Sequence, residues 1–306
     1  MASIAYVTNS QMIEYHRING NRTMNFWRPS YTKKFADFNE GDYLFFLVKT
    51  SKRAKEKALT GYGRCVKSQI MNFNKMWETY EQENGYDNKE ALKEAVLKAS
   101  KAKIIPDKLN CIYLEDVVFF QSPVYLSEVG IQVNSNLESY IYLDKEDTAV
   151  TSRILDIAQQ SGVDMWSMIN ASEEENIDMK EDHLHFAVTQ ALKQSKDHIY
   201  KEWEQKKIRK MMKSYLEEHP AEILSSQKVD AFIVKDNEVE IIVPVVYGKE
   251  FDDTMQYCIG HCMMIKKLIN KNCSYDVKVH FTFVSDQDVS FIDEIVNKSS
   301  NRIENF

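Results

Sequence analysis

The chain contains no apolar run long enough to cross a membrane, and its start, MASIAYVTNSQ, has neither the basic nor the apolar region of a secretory leader. These absences point to a soluble, cytoplasmic protein. Cysteine is scarce and odd in number: Cys65, Cys111, Cys258, Cys262 and Cys273 suit a reducing compartment better than a disulfide framework. Also missing are a phosphate-cradling glycine loop, a nucleophile elbow, a metalloprotease helix, internal repeats and low-complexity tracts. P-loop nucleotide hydrolysis, serine-hydrolase chemistry and zinc-protease chemistry therefore drop out.

What is present is a globular balance of 43% hydrophobic and 28% charged residues, and 306 residues are enough for two domains. Aromatics reach 11%, including 16 Tyr and 15 Phe, which supply packed cores and also stacking faces for bases. The net charge of −7 is unevenly spread. Residues 1–110 carry 19 Lys and Arg against 12 Asp and Glu, whereas residues 111–182 carry 3 against 15. A basic front is what a phosphate-contacting surface requires, although solvated faces also vary in charge.

Hydrophobic spacing predicts strands over 4–9, 41–50, 59–71 and 110–121. It predicts helices over 10–17, with Ser10 as N-cap, and over 73–85 and 88–101. Short strands around helices suggest a small mixed barrel. Residues 144–182 hold one short helix and an acidic run, read as a linker between domains 1–143 and 183–306. Beyond it come a helix or helix pair over 183–220, strands 228–235 and 238–246 joined at Asp236-Asn237, a helix over 251–270, a strand over 276–284 and a last helix over 289–298. The fold class expected is α+β.

Residues 25–30 read Asn-Phe-Trp-Arg-Pro-Ser. Gly41-Asp42 precedes Phe45-Phe46, then come Gly61-Tyr62-Gly63, Trp77-Glu78, Asn84-Gly85, and Cys111-Ile112 leading to Phe119-Phe120 and Pro123. In this order they resemble the N-terminal domain of predicted HNH-type restriction endonucleases, within the PUA-like group that includes EVE, ASCH and SRA-like readers. The resemblance covers about residues 4–143. It implies a PUA-like mixed β-barrel that binds DNA and draws a modified base into a pocket, in a restriction or anti-phage defence setting; modified RNA is the other ligand such folds take. Trp27, Tyr31, Tyr62 and Trp77 then become candidate walls, and Asn25, Ser30 and Asn84 candidate partners for a base edge. Arg28, Lys33, Lys34, Lys52, Arg53, Lys55 and Lys57 become candidate phosphate contacts. Asn25, Trp27 and Tyr62 are preferred for the pocket. The competing reading is ordinary packing, above all for Trp77, which shares a helix with Met76 and Tyr80.

No HNH motif follows. The element order of the second half instead looks like the restriction-endonuclease-like α/β core of the PD-(D/E)xK superfamily, in which an Asp and a Glu hold Mg²⁺ and a Lys orients water. Asp230 stands where the first acid belongs, but Val243-Pro244-Val245 replaces Glu-x-Lys. Glu238, Glu240 and Lys249 could form a migrated site, with Asp230 and Glu240 as metal ligands; they could equally line the solvent face of a catalytically dead fold. Cys258, His261 and Cys262 share a helix face, and His183 and His185 alternate at a helix start; both groups are expected to be structural. Two functions stand: a modification-dependent Mg²⁺ endonuclease, or a non-catalytic reader whose second domain dimerises or recruits a partner.

Overall fold

The computed structural model describes residues 3–29, 35–49, 56–100, 102–134, 136–170, 179–195, 198–223, 230–235, 237–247, 251–273 and 275–298. The chain divides into two compact units, Met1–Met179 and Lys180–Phe306.

In the first unit, β1 (Ile4–Val7), β2 (Met24–Arg28), β3 (Tyr43–Lys49), β4 (Lys57–Met71), β5 (Leu109–Tyr125) and β6 (Tyr140–Tyr142) form a sheet in the order β2-β5-β4-β3-β1-β6. Strands β1 and β3 run parallel and the other pairs antiparallel. The apolar run of β3 is buried from Tyr43 to Val48, as a strand covered on both faces requires. Strands β4 and β5 are long, and their register shifts between Leu59 and Gly61, between Tyr62 and Arg64, and between Cys65 and Lys67. Each shift bends the ribbon and increases its twist. Gly61 is required at the first of them, since a Cβ there would stand 2.2 Å from the Val118 carbonyl oxygen. The curl brings distant strands together: Tyr6 of β1 meets Phe26 of the edge strand β2 with ring centroids 5.1 Å apart.

Helices α1 (Ser10–Ile18), α2 (Phe73–Tyr80) and α3 (Lys89–Ala99) start at asparagine caps. Asn9, Asn72 and Asn88 accept from the backbone N–H groups of Gln11, Lys75 and Ala91. The α1 cap is thus Asn9, one residue before the expected Ser10.

Residues 144–170 are not a linker. Helix α4 (Val150–Ser161) buries Val150, Ile154, Leu155 and Ala158, and Asp144 accepts from Thr151 N at 2.9 Å and Thr151 Oγ1 at 2.7 Å. Asp164 N donates to Phe119 O and Gln121 N to Gly162 O, both at 2.9 Å, which ties the approach to α5 (Met165–Asn170) onto β5. Acidic residues here serve caps and ion pairs of the first unit. The acidic run itself, 171–178, lies outside the described residues.

The second unit comprises α6 (Met179–Gln194), α7 (Glu202–Glu218), β7 (Glu222–Ile223), β8 (Ala231–Lys235), β9 (Glu238–Pro244), α8 (Phe251–Asn272), β10 (Lys278–Val284) and α9 (Ser290–Asp293). Its sheet order is β10-β9-β8-β7; β7, β8 and β9 are antiparallel, and β10 returns parallel to β9 after α8. Two-residue alternation sorts the side chains. Phe232, Val239, Ile241 and Val243 pack with Leu184 of α6 and Cys262 and Ile265 of α8, while Ala231 and Ile242 pack with Ile208 and Met212 of α7. Asn237 turns the β8–β9 hairpin with φ 65°.

A fragment ending at residue 143 loses α4, and burying Val150, Ile154 and Leu155 stabilises the unit by roughly 1.5–3 kcal/mol each. Fragment 1–170 should show a cooperative thermal transition and fragment 1–143 none. Equal melting of the two by circular dichroism would place α4 outside the folding unit.

Candidate nucleic-acid interface

Three of the residues read as a base pocket form an internal clamp. Asn25 Nδ2 donates to Asn84 Oδ1 at 2.8 Å, Trp27 Nε1 donates to Asn84 O at 3.1 Å, and Asn84 Nδ2 donates to Glu81 O at 2.8 Å. Asn25 and Asn84 are fully buried and Trp27 nearly so. Together they fasten the turn ending at Gly85, whose φ of +84° and close approach to Met12 require glycine. Asn25 and Trp27 are therefore sealed packing residues, because the turn covers them.

Tyr62 belongs to a different cluster, with Tyr43 at 5.1 Å, Phe45 at 5.6 Å and Phe120 at 5.8 Å, and it too is fully buried. Trp77 packs half-buried against the main core. Lys57 is buried. Ser30, Tyr31, Lys33, Lys34, Lys52, Arg53 and Lys55 lie outside the described residues.

An aromatic seam stands where the curled sheet brings β2 towards β1 and β6. Tyr6 stacks on Tyr140 (5.9 Å, 11°), Phe35 meets Tyr140 edge-on at 4.7 Å and Phe38 at 5.3 Å, and Tyr140 meets Tyr142 at 5.5 Å. Arg28, at the end of β2, lays its guanidinium 4.0 Å from the Phe35 ring centroid. Tyr142 OH accepts from Ala36 N at 3.0 Å, fixing the segment that carries Phe35. Tyr6, Phe35, Tyr140 and Tyr142 are all half-buried, packed on one another yet partly open to solvent. The chain on either side of residues 30–34 ends in this seam. Arg28, expected as a surface phosphate contact, is instead 4% exposed and held among rings. Sequence reading missed Tyr6, Phe35, Tyr140 and Tyr142, because β6 is three residues long and Phe35 lies in no regular element.

A cleft of about 710 Å³ also opens between α1 and α3, lined by Glu14, Tyr15, Tyr86, Asp87, Glu94 and Lys98 among others. Its three carboxylates oppose a phosphate there. Beneath it His16 is fully buried; Asn21 Nδ2 lies 2.9 Å from its Nδ1, and burial holds its pKa down at about 4.

The second unit does not assemble the expected metal site. Asp230 Oδ2 accepts from His261 Nε2 of α8 at 2.7 Å, on the α8 side of the sheet. Glu238 and Glu240 belong to the other face: Glu240 stands opposite Ile233 and accepts from Thr282 Oγ1, and Glu238 is an exposed partner of Lys278 at 2.8 Å. The period of two thus sends Asp230 and Glu240 to opposite sides of the sheet, and they cannot share an ion through it. Lys249 lies outside the described residues, and among those described no group of three or more His, Cys, Asp or Glu could hold a metal. Beside Asp230 is a cavity of about 20 Å³, lined by His198, Tyr200, Tyr257, Cys258 and His261, with room for about one water. Cys258 and Cys262 are core thiols; His183 Nε2 donates to Asn272 O and His185 Nε2 pairs with Glu222, each at 2.9 Å.

No family model matches the chain, and no curated protein matches it. Among solved structures it is similar to ASCH from Zymomonas mobilis, at 11% identity over 50% of this chain and 95% of that one, with a TM-score of 0.35. It is likewise similar to a mutant of that protein, at 11% identity over 51% of this chain and 99% of that one, with a TM-score of 0.36.

Two outcomes are expected in stability measurements. Removing His261 (His261→Ala) leaves the Asp230 carboxylate buried without its partner and should cost about 3–5 kcal/mol in denaturant unfolding; a cost below about 1 kcal/mol would contradict the buried pair. Two buried groups of the first unit act on its pH response in opposite directions. As pH falls from 6.5 to about 4, the unfolded chain binds a proton at His16 that the folded unit refuses, so stability is lost. Burial raises Asp144 to about 6, so between about pH 6 and 3.8 the folded unit holds a proton that the unfolded chain releases, and acid adds stability. Asp144→Asn removes the second effect. Between pH 7 and 4 it should lose about 3 kcal/mol more stability than wild type, and parallel profiles would contradict the Asp144 assignment.

Proposed function

We propose that the first unit is a PUA-like nucleic-acid-binding module that takes an unpaired or extruded base into the seam between β2 and β6. The observation that carries this reading is the set of half-buried rings of Tyr6, Phe35, Tyr140 and Tyr142 around the Arg28 guanidinium. Aromatic faces stack any base, and the buried Arg28 guanidinium braces the Phe35 ring from within. The order of sequence words from Asn25 to Pro123 supports the same class. Net charge does not: with residues 111–179 included, the first unit holds 21 Lys and Arg against 25 Asp and Glu. Phosphate contact must therefore come from one face of the unit, to which the Lys33 and Lys34 segment is the nearest basic contribution in sequence.

Within this reading the ligand is DNA carrying a modified base, in a restriction or defence setting, because extrusion is what lets a protein inspect every edge of a base. The second unit is then a nuclease-like scaffold rather than a Mg²⁺ endonuclease. A helix, three antiparallel strands, a helix and a parallel strand support the nuclease-like order, while the separation of Asp230 from Glu240 removes the reason to expect cleavage.

The test is fluorescence anisotropy of the full chain against unmodified, methylated and hydroxymethylated DNA, single-stranded and duplex, with matching RNA. Tyr140→Ala should weaken binding of the preferred ligand about 5- to 150-fold, the range for losing one stacked base, with the thermal midpoint measured alongside. Tighter binding of RNA than of every DNA would favour the RNA reading. Binding that ignores Tyr140 and Arg28 substitutions would remove the seam from consideration.

A further inference from the structure

Helix α7 gathers charge of one sign. From Gln205 to Ser214 it carries five cations, Lys206, Lys207, Arg209, Lys210 and Lys213, and no acid, in a chain whose net charge is −7. The helical period decides where they point. Ile208 and Met212 are buried against Ala231, Ile242 and Val246. At about 100° per residue, Trp203, Lys206, Lys210 and Lys213 fall within an arc of about 80° opposite that buried stripe. All four are exposed. Lys206 shares a surface pair with Glu202 at 2.7 Å, which solvent screens and a phosphate can displace. Lys207 is held by Asp286 at 2.7 Å, whereas Lys210 and Lys213 make no ion pair among the described residues. Trp203 completes the strip. The rings nearest it in sequence are packed, His198 lying 4.8 Å from Tyr200 and 4.7 Å from Tyr257. Trp203 is 51% exposed and has no ring contact among the described residues.

A single exposed tryptophan is ordinary, and so is a run of solvated lysines. Their combination on one narrow strip, a stacking face in line with three cations, points to a ligand. Lys206 to Lys213 spans about 10 Å of helix axis, which matches about three phosphates of one nucleic-acid strand at about 3.4 Å each. A surface for an unpaired strand needs both parts, cations for the backbone and a ring for a base. An anionic membrane fits less well. A helix lying on lipid turns a broad apolar face to it, and that face of α7 is spent on the sheet. We propose that the α7 strip binds an unpaired nucleic-acid strand, with Trp203 stacked on a base and Lys206, Lys210 and Lys213 on phosphates. The choice of nucleic acid among polyanions rests on the first unit being a nucleic-acid-binding module. The strip adds to it a sequence-independent hold on the strand, carried by the second unit.

The measurement is fluorescence anisotropy of the full chain with a thymidine homopolymer of about 15 nucleotides and its uridine counterpart, between about 20 and 200 mM salt. Lys210→Gln with Lys213→Gln should lower the slope of log affinity on log salt by about 1.4 and weaken binding about 10- to 25-fold at 0.1 M salt. Trp203→Ala should weaken it about 5- to 150-fold and leave the slope unchanged. Neither change should move the thermal midpoint, because the side chains are exposed. Lys267→Gln with Lys271→Gln removes the same charge from exposed positions of α8 and should leave affinity within about twofold. Equal losses from the two lysine pairs, or indifference to Trp203→Ala, would overturn the proposal. So would tighter binding to phosphatidylserine vesicles than to either homopolymer. Tyr140→Ala separates this failure from that of the seam. If it alone abolishes binding while the α7 variants bind as wild type, the strip fails and the seam stands. If the α7 variants lose binding as expected and Tyr140→Ala changes nothing, the seam fails and the strip stands. No binding to any strand at about 20 mM salt would sink both.

Discussion

Strands β4 and β5 cannot run side by side for 15 and 17 residues as a flat ribbon and still enclose a core. Their register shifts three times, and at the first shift the backbone of Gly61 takes the space a side chain would need beside Val118. That bending carries β2 on one side and β3, β1 and β6 on the other, so strands far apart in the sheet order approach across the curl. The Tyr6–Phe26 contact marks the approach, and the rings around Arg28 line it. The seam exists because of the bulges. A straighter pair would leave the same residues scattered along two distant edges.

Burial then decides which aromatic and polar side chains can meet a ligand. Asn25 Nδ2 and Trp27 Nε1 are both spent on Asn84, and the Asn25 carbonyl oxygen, which has no hydrogen-bond partner among the described residues, lies fully buried beneath the turn. Tyr62 is enclosed by Tyr43, Phe45 and Phe120. The rings that remain reachable come from short or irregular segments, which leaves the long strands free to hold the scaffold rigid. The second unit follows the same logic in reverse. Asp230, expected from sequence as a metal-binding acid, gives its carboxylate to His261, and Glu238 and Glu240 face away from it.

Long periodic segments were legible in the sequence: β3, β4, β5, α3 and α8 fall where hydrophobic spacing puts them, and the pair α6 and α7 was one of two readings offered for 183–220. Asn237 turns its hairpin as an Asp-Asn pair suggests. Strands β2, β6 and β7 were not legible, being two to five residues long, with β2 hidden inside a motif read for chemistry. The division between the units, at Met179–Lys180, falls inside the acidic stretch where composition put it, but Asp144 and Asp164 are acids at work in caps and ion pairs of the first unit. Residue type alone cannot separate a tryptophan that stacks on a ligand from one that closes a turn. Trp27 and Tyr140 differ in that respect only through the fold around them.

The most direct measurement is an NMR titration of the full chain, with carbon-13 in its tyrosine rings, against the oligonucleotide it binds best. The account predicts that the ring signals of Tyr6, Tyr140 and Tyr142 move together and saturate at one site, while those of Tyr43 and Tyr62 stay in place. Shifts confined to tyrosines of the second unit, or to Tyr15 and Tyr86 of the acidic cleft, would contradict it.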